Sequence, residues 1–417
     1  MKSRISNTFL IPVLFFGGII SAQTINTGEL YVTPNTQFST VGAFDNTPSG
    51  VFINDGESFI YNHFNNDGVV DFTPGETGYT RFEGAAVQQL TGSNISYFYD
   101  VLFNNPSSTT ASFELSSEIS VDNEAEFNQG IVKDDDFGGL MIFEVNGYHT
   151  GTFDGSHVDG LVQKNGNTEF TYPIGDAGYY RFAAISAPDN INDVFTGKYF
   201  FENSNPIHPH SSKEGVIELI DNAEYWTIER TVGTTEGMVT LSWREETTPA
   251  EIYATPVEAI HIVRWDETEQ LWLDEGGVAD ANAKTVTTIV RDYGVFTLAR
   301  VKTEDILPCG LVVYNAVSSD QDGQNDFFNI QQLNDDSECA TNMKISIFNR
   351  WGVKVYETDN YETGTNLFRG YSDGRTTISG GEQLPTGTYF YVLNFDYRVN
   401  GEVRQYNKTG YLYLVSK

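Results

Sequence analysis

Phe52-Ile53-Asn54-Asp55-Gly56 is followed twelve residues later by Phe64-Asn65-Asn66-Asp67-Gly68, and each copy leads on to another phenylalanine, Phe59 and Phe72. Asn, Asp and Gly tolerate the positive φ angles that tight turns between strands require, so each copy reads as a short strand running into a turn. The same grammar of brief apolar–polar alternation extends from about residue 28 to 160. It includes Tyr97-Phe98-Tyr99-Asp100-Val101-Leu102-Phe103-Asn104-Asn105 and Ile119-Ser120-Val121-Asp122-Asn123. Strands this short stack as rungs of a β-solenoid, each rung covering the apolar face of the next, or form the meanders of a sandwich. The regular turn spacing favours the solenoid, although twelve residues is short for a three-sided rung.

Composition agrees with an all-β chain. In 417 residues there are 39 glycines, 23 tyrosines and 29 phenylalanines, and aromatics reach 14%, far above what a disordered acidic chain carries. The length allows two to four domains at ~100–200 residues each. Fifty-seven acidic against 24 basic residues give a net charge of −33. That balance excludes a protein built to grip nucleic acid, which needs clustered Lys and Arg, and it disfavours an anionic membrane surface.

Residues 1–22 read as a secretory signal peptide. Lys2 and Arg4 form the basic start, Phe9 to Ile20 the apolar stretch, and Ser21-Ala22 the small residues before cleavage. The apolar stretch is too short to span ~30 Å of hydrocarbon as a helix. No cysteine follows the cleavage point, so lipid attachment there is not expected and Gln23 becomes the mature N-terminus. The only cysteines, Cys309 and Cys339, read as one disulfide in an oxidising compartment.

Three regions follow the leader: a solenoid-like repeat region at 23–160, a β-sandwich passenger at 161–302 and a C-terminal module at 303–417. The second holds Trp226, Trp243, Trp265 and Trp272 and longer period-two runs, such as Ile260-His261-Ile262-Val263-Arg264-Trp265 and Lys284-Thr285-Val286-Thr287-Thr288-Ile289-Val290. One buried face per strand fits an antiparallel sandwich. Lys302-Thr303-Glu304-Asp305 and Pro308 mark a polar hinge before the third region.

The third region has sharper punctuation. Val313-Tyr314-Asn315-Ala316-Val317-Ser318, Asp322-Gly323-Gln324-Asn325-Asp326, Ile347-Phe348-Asn349-Arg350-Trp351-Gly352, Phe368-Arg369-Gly370-Tyr371 and Leu384-Pro385-Thr386-Gly387-Thr388-Tyr389 occur in that order. Together they resemble the gliding-motility-associated C-terminal domain, the type B sorting domain of the type IX secretion system of Bacteroidetes. The resemblance covers about the last quarter of the chain. It departs at Ser319-Asp320-Gln321-Asp322-Gly323, where the family has Pro-Asn-Gly-Asp-Gly. It implies an immunoglobulin-like sandwich recognised by an outer-membrane translocon, with Asn349, Arg350, Trp351, Gly352, Pro385, Thr386 and Gly387 as its motif residues. It also implies delivery to the cell surface or medium and retention by an outer-membrane anchoring protein. Gly160-Leu161-Val162-Gln163-Lys164 and Tyr172-Pro173-Ile174-Gly175 resemble passenger segments of such proteins.

No residue is singled out as catalytic. The six histidines form no H-E-x-x-H, no glycine-rich phosphate loop follows a strand, and the carboxylates are too many to select an acid and a nucleophile. Asp320, Asp322, Asn325 and Asp326 have oxygen ligands on a tight turn and are a candidate calcium site, although position 331 is Gln rather than a bidentate Glu. An Asx-rich turn bonding its own backbone is the competing reading. Lys133-Asp134-Asp135-Asp136 reads as a solvated turn and His208-Pro209-His210 as loop histidines. Apart from calcium no cofactor is expected. The chain is thus read as a secreted surface protein with an adhesin-like or structural, non-enzymatic passenger that meets surface glycans or other cells. The alternatives are a carbohydrate-binding protein, using aromatics around Trp226–Trp272, and a polysaccharide-active enzyme on a β-solenoid.

Overall fold

The structure is a computed structural model that describes residues 23–290, 292–302, 307, 309, 311–320, 325–332, 339–361, 366–373, 380–399 and 402–416. Residues 1–22, expected above to be a leader, Asp322 and most of residues 303–308 lie outside the described residues. The fold is almost entirely β, and its first part is a three-faced parallel solenoid.

One face stacks Thr24–Asn26, Phe44–Asn46, Phe64–Asn66, Gln88–Thr91, Phe113–Leu115, Val132–Lys133, Val158–Asp159 and Ile174–Asp176, all parallel. A second runs from Glu29–Val32 through Val51–Asn54 and Val69–Asp71 to Leu140–Phe143 and Val162–Asn165. A third contains Gln37–Thr40, Glu57–Ile60, Tyr79–Phe82 and Tyr148–Thr150. The long strands Ser96–Asn104 and Glu118–Gln129 serve the second and third faces together, their register shifting between Phe98 and Asp100 where they turn the corner.

The rung repeat is 20 residues at the start, not twelve. The twelve-residue echo relates two different corners that share one turn chemistry. Asn54 Oδ1 accepts the Gly56 N–H at 3.3 Å, and Asn66 Oδ1 accepts the Gly68 N–H at 3.1 Å. Glycine is needed at 68 because a Cβ there would lie 2.2 Å from the Gly50 oxygen of the rung below.

Inside, like stacks on like. Phe44 and Phe64 are parallel at 5.6 Å, as are Phe82 and Phe103 at 5.9 Å and Phe103 and Phe127 at 5.4 Å. Each such buried ring contributes about 1.5–3 kcal/mol by leaving water. Along one corner Asn26 donates to Asn46 at 2.8 Å and Asn46 to Asn66 at 2.9 Å, so a buried amide ladder satisfies the polar groups between rungs.

Val162–Asn165 is the switch strand, parallel to Leu140–Phe143 on one side and antiparallel to Val194–Phe200 on the other. From there the sheet continues through Tyr225–Val232, Gly294–Val301, Ile260–Asp266 and Leu271–Gly276. An antiparallel sheet of Phe170–Thr171, Ala183–Ile185, Met238–Ser242, Thr285–Ile289 and Val278–Asp280 faces it. One apolar core runs from Val32 to Leu298 without a break, so the change near residue 160 is a change of pairing, not of core.

The C-terminal module has its own core, including Phe328, Ile345, Phe368, Tyr391, Leu393 and Leu412. A five-stranded sheet, in the order Ala316–Ser318, Glu402–Val415, Gly387–Val399, Ala340–Phe348, Lys354–Thr358, is joined by the pair Leu311–Val313 and Ile330–Gln332 in an immunoglobulin-like sandwich.

Candidate functional site

The motif residues of the C-terminal module build two turns. In the first, Asn349 Oδ1 accepts the N–H groups of Trp351 and Val353, both at 3.0 Å, and the Gly352 N–H donates to the Asn349 oxygen at 3.0 Å. Gly352 has φ +76°, which explains the residue type. The Arg350 guanidinium lies 4.2 Å from the centre of the Trp351 ring, which stays 46% exposed. In the second turn, Pro385 accepts from the Tyr389 hydroxyl at 2.8 Å and Thr386 Oγ1 accepts the Ser416 N–H at 2.9 Å, which ties down the end of the last strand before Gly387 opens its neighbour. The two turns are separate features of one domain.

Cys309 and Cys339 are bonded, with Cα atoms 5.6 Å apart. Of the candidate calcium residues, Asp320, Asn325 and Asp326 are described; Ser318 N–H donates to the Asn325 oxygen at 2.7 Å and Asn325 has φ +53°. Among the described residues no group of three or more His, Cys, Asp and Glu side chains converges as a metal site.

The module sits against the passenger. Thr409 Oγ1 donates to the Glu275 oxygen at 3.1 Å and lies 3.3 Å from Thr288 Oγ1, while a Cβ on Gly352 would come within 2.5 Å of the Ser186 Cβ. Beside these contacts opens a cleft of about 930 Å³, walled by Glu258, Asp274 and Asp280 of the passenger and Lys408, Phe390 and Tyr411 of the module. Arg350 and Trp351 line a smaller hollow of about 220 Å³ with Phe170, Ile185 and Met238. The motif turn therefore faces the passenger.

In the passenger, Trp226, Trp243, Trp265 and Trp272 are all buried, so these four rings are core and are not available to stack on a sugar. His208 packs against Trp265 and Trp272, and the Ser204 hydroxyl lies 2.9 Å from His210 Nε2. The acidic run at 133–136 is not simply solvated. Asp134 is buried, accepts the Leu161 N–H at 2.8 Å, and burial raises its carboxyl to about 8; burial lifts Asp159 on the next rung to about 6. Lys133 pairs with Asp136 and Asp159, and Lys198 with Asp135.

Two buried polar centres escaped sequence reasoning. Lys164 ends the solenoid interior, donating to the main-chain oxygens of Val145 at 2.9 Å and Gly147 at 3.3 Å; burial lowers its ammonium to about 8. Arg181 and Glu224 form a bidentate pair at 3.1 and 2.9 Å inside the sandwich, with the Tyr199 hydroxyl donating to Glu224 at 2.7 Å and Asp221 buried nearby. The only signal was a charge placed within an aromatic run, Tyr179-Tyr180-Arg181-Phe182.

The C-terminal module is a self-contained sandwich with its own core and two separate motif turns. Residues 311–414 match the family model of the CHU_C Type IX secretion signal domain, and the module is recognised as a type IX sorting domain that marks the chain for export. No curated protein and no solved structure matches the chain.

Proposed function

We propose that the chain is a surface-displayed, adhesin-like or structural protein whose non-enzymatic passenger is the solenoid and sandwich at 23–302. In this reading 1–22 is a removed signal peptide, the sorting domain is of type B from a member of the Bacteroidetes, and an outer-membrane partner retains the protein outside. The observation that carries it is the continuous, ring-filled core from Val32 to Leu298, which makes the passenger a stiff spacer held out by a separately folded address. Removal of residues 309–417 is expected to leave the protein in the periplasm. Fractionation with protease shaving of whole cells reads the outcome, and a truncated chain found outside overturns the proposal.

A glycan-binding passenger is favoured by one feature. The third face aligns Tyr79, Asp100, Glu124 and Tyr148 in register on successive rungs about 4.8 Å apart, with Tyr148 exposed at its end. Affinity electrophoresis with wild type and Tyr148→Ala tests it: retardation by a polysaccharide that the variant loses supports binding. Calcium at Asp320, Asp322, Asn325 and Asp326 is likewise a proposal, supported by the Ser318 N–H donating to the Asn325 oxygen and tested by whether EGTA lowers the unfolding temperature of the sorting domain.

A further inference from the structure

The two ends of the solenoid are finished differently. At the far end Val162–Asn165 passes into the sandwich and the core continues across. At the near end Thr24–Asn26, Glu29–Val32 and Gln37–Thr40 each pair, among the described residues, only with the rung above. In a parallel ladder alternate residues address opposite neighbours. Thr24 donates to Ala43 and Asn26 accepts from Thr47, so the main-chain groups of Ile25 point away from the stack. The oxygens of Gly28 and Val32 accept from Val51 and Asp55, which turns Glu29 and Tyr31 outward; those of Thr36 and Thr40 accept from Glu57 and Tyr61, which does the same for Gln37 and Ser39.

Among the described residues this end is also thinly protected. None of the three strands contains Lys or Pro, the residues that commonly blunt open edges. Ile25 is 55% exposed, Tyr31 50% and Val41 73%, and Leu30 and Phe38 are only partly covered. Within Gln23–Gly42 the single charged residue is Glu29, in a chain of net charge −33. Two copies repel over most of their surface and least here.

We propose that the first rung is a self-association surface on which two copies of the chain meet head to head, given the reading of residues 1–22 as a removed leader. One flat strand covers a single face, whereas three edges around a common axis are matched together by another stack of the same cross-section. A two-fold axis through the end pairs one face with its own copy and exchanges the other two. The exchanged edges, Glu29–Val32 and Gln37–Thr40, are both 4 residues long. The rotation reverses chain direction, so all three junctions are antiparallel and close the assembly as a dimer.

Sedimentation equilibrium on the exported full-length protein tests this, after intact mass has established whether the chain starts at Gln23. A dimer is expected, and Ile25→Lys and Tyr31→Lys, whose side chains point to solvent, are each expected to weaken it about tenfold or more in Kd. Val69→Lys, on the third rung, is expected to leave it unchanged, with circular dichroism showing that all three variants fold. A chain starting at Gln23 that stays monomeric, forms larger assemblies, or dimerises regardless of both lysines overturns the interface alone. A chain that keeps residues 1–22 overturns the leader reading, and the interface with it.

Discussion

Thr409 in the last strand of the sorting domain donates its hydroxyl hydrogen to the main-chain oxygen of Glu275 in the passenger, 3.1 Å away, and the Thr288 hydroxyl reaches the same oxygen at 2.6 Å. Two hydroxyls on one carbonyl make a polar seam between two otherwise separate cores. Thr409→Val is therefore expected to loosen the sorting domain while costing the passenger little. The lost bond is worth about 1 kcal/mol. Limited proteolysis should show faster cutting between residues 302 and 311, with the passenger fragment as resistant as before.

The amide ladder gives a larger effect. Asn46 is buried, accepts from Asn26, and donates to Asn66 and to the Val69 oxygen at 2.9 Å each. Asn46→Leu takes the Asn46 amide donor from the Val69 oxygen and breaks the ladder, while Asn26 keeps Val51 and Asn66 keeps Gly68, Ile95 and Ser96, and the expected loss is about 1–3 kcal/mol. Urea denaturation should show a lower midpoint with an unchanged slope.

Glu224 holds Arg181 inside the sandwich, so removing either partner strands a buried charge. Arg181→Met is expected to destabilise by about 3–5 kcal/mol, and the double change Arg181→Met with Glu224→Leu by less than that single one. Chemical denaturation of the three variants checks the order.

Acid titration should run opposite to the common carboxylate pattern over part of its range. Burial raises Asp134 from 3.8 to about 8 and Asp159 from 3.8 to about 6, so the folded chain binds protons that the unfolded chain has released. Stability from these groups is fully present below pH 4 and is lost as pH rises towards 8, with a slope of up to about 1.4 kcal/mol per pH unit for each proton. Asp134→Asn keeps an acceptor for the Leu161 N–H and is expected to flatten the pH 6–8 part of the curve, read from unfolding midpoints across that range.

Reduction of Cys309–Cys339 opens a link between residues 30 apart in sequence. The chain-entropy cost is about 3–4 kcal/mol, confined to the sorting domain. Calorimetry with and without a thiol reductant should move the sorting-domain transition down and leave the passenger transition in place.

The last hundred or so residues were the most legible part, because turn identity is local. Asn349 and Gly352 carry their own hydrogen-bond pattern and their own φ requirement, and both can be recognised without knowing what they pack against. The all-β class was legible for the same reason, since alternation and Asn-Asp-Gly turns act within a few residues. The rung period was not. Asn54-Asp55-Gly56 and Asn66-Asp67-Gly68 look alike because they form the same turn, yet they occupy different corners, and only the 20-residue contact between Asn46 and Asn66 reveals the stack.

What the chain could state alone, then, was its strand grammar, its address and its charge, all set by near neighbours and by composition. Tertiary structure alone decided that the four passenger tryptophans face inward, that Asp134 is buried in what reads as a solvated run, that Arg181 finds Glu224, and that the first rung pairs, among the described residues, on one side only. Each of those depends on which distant segment supplies the other half of a contact, and desolvation has no meaning until that segment has arrived.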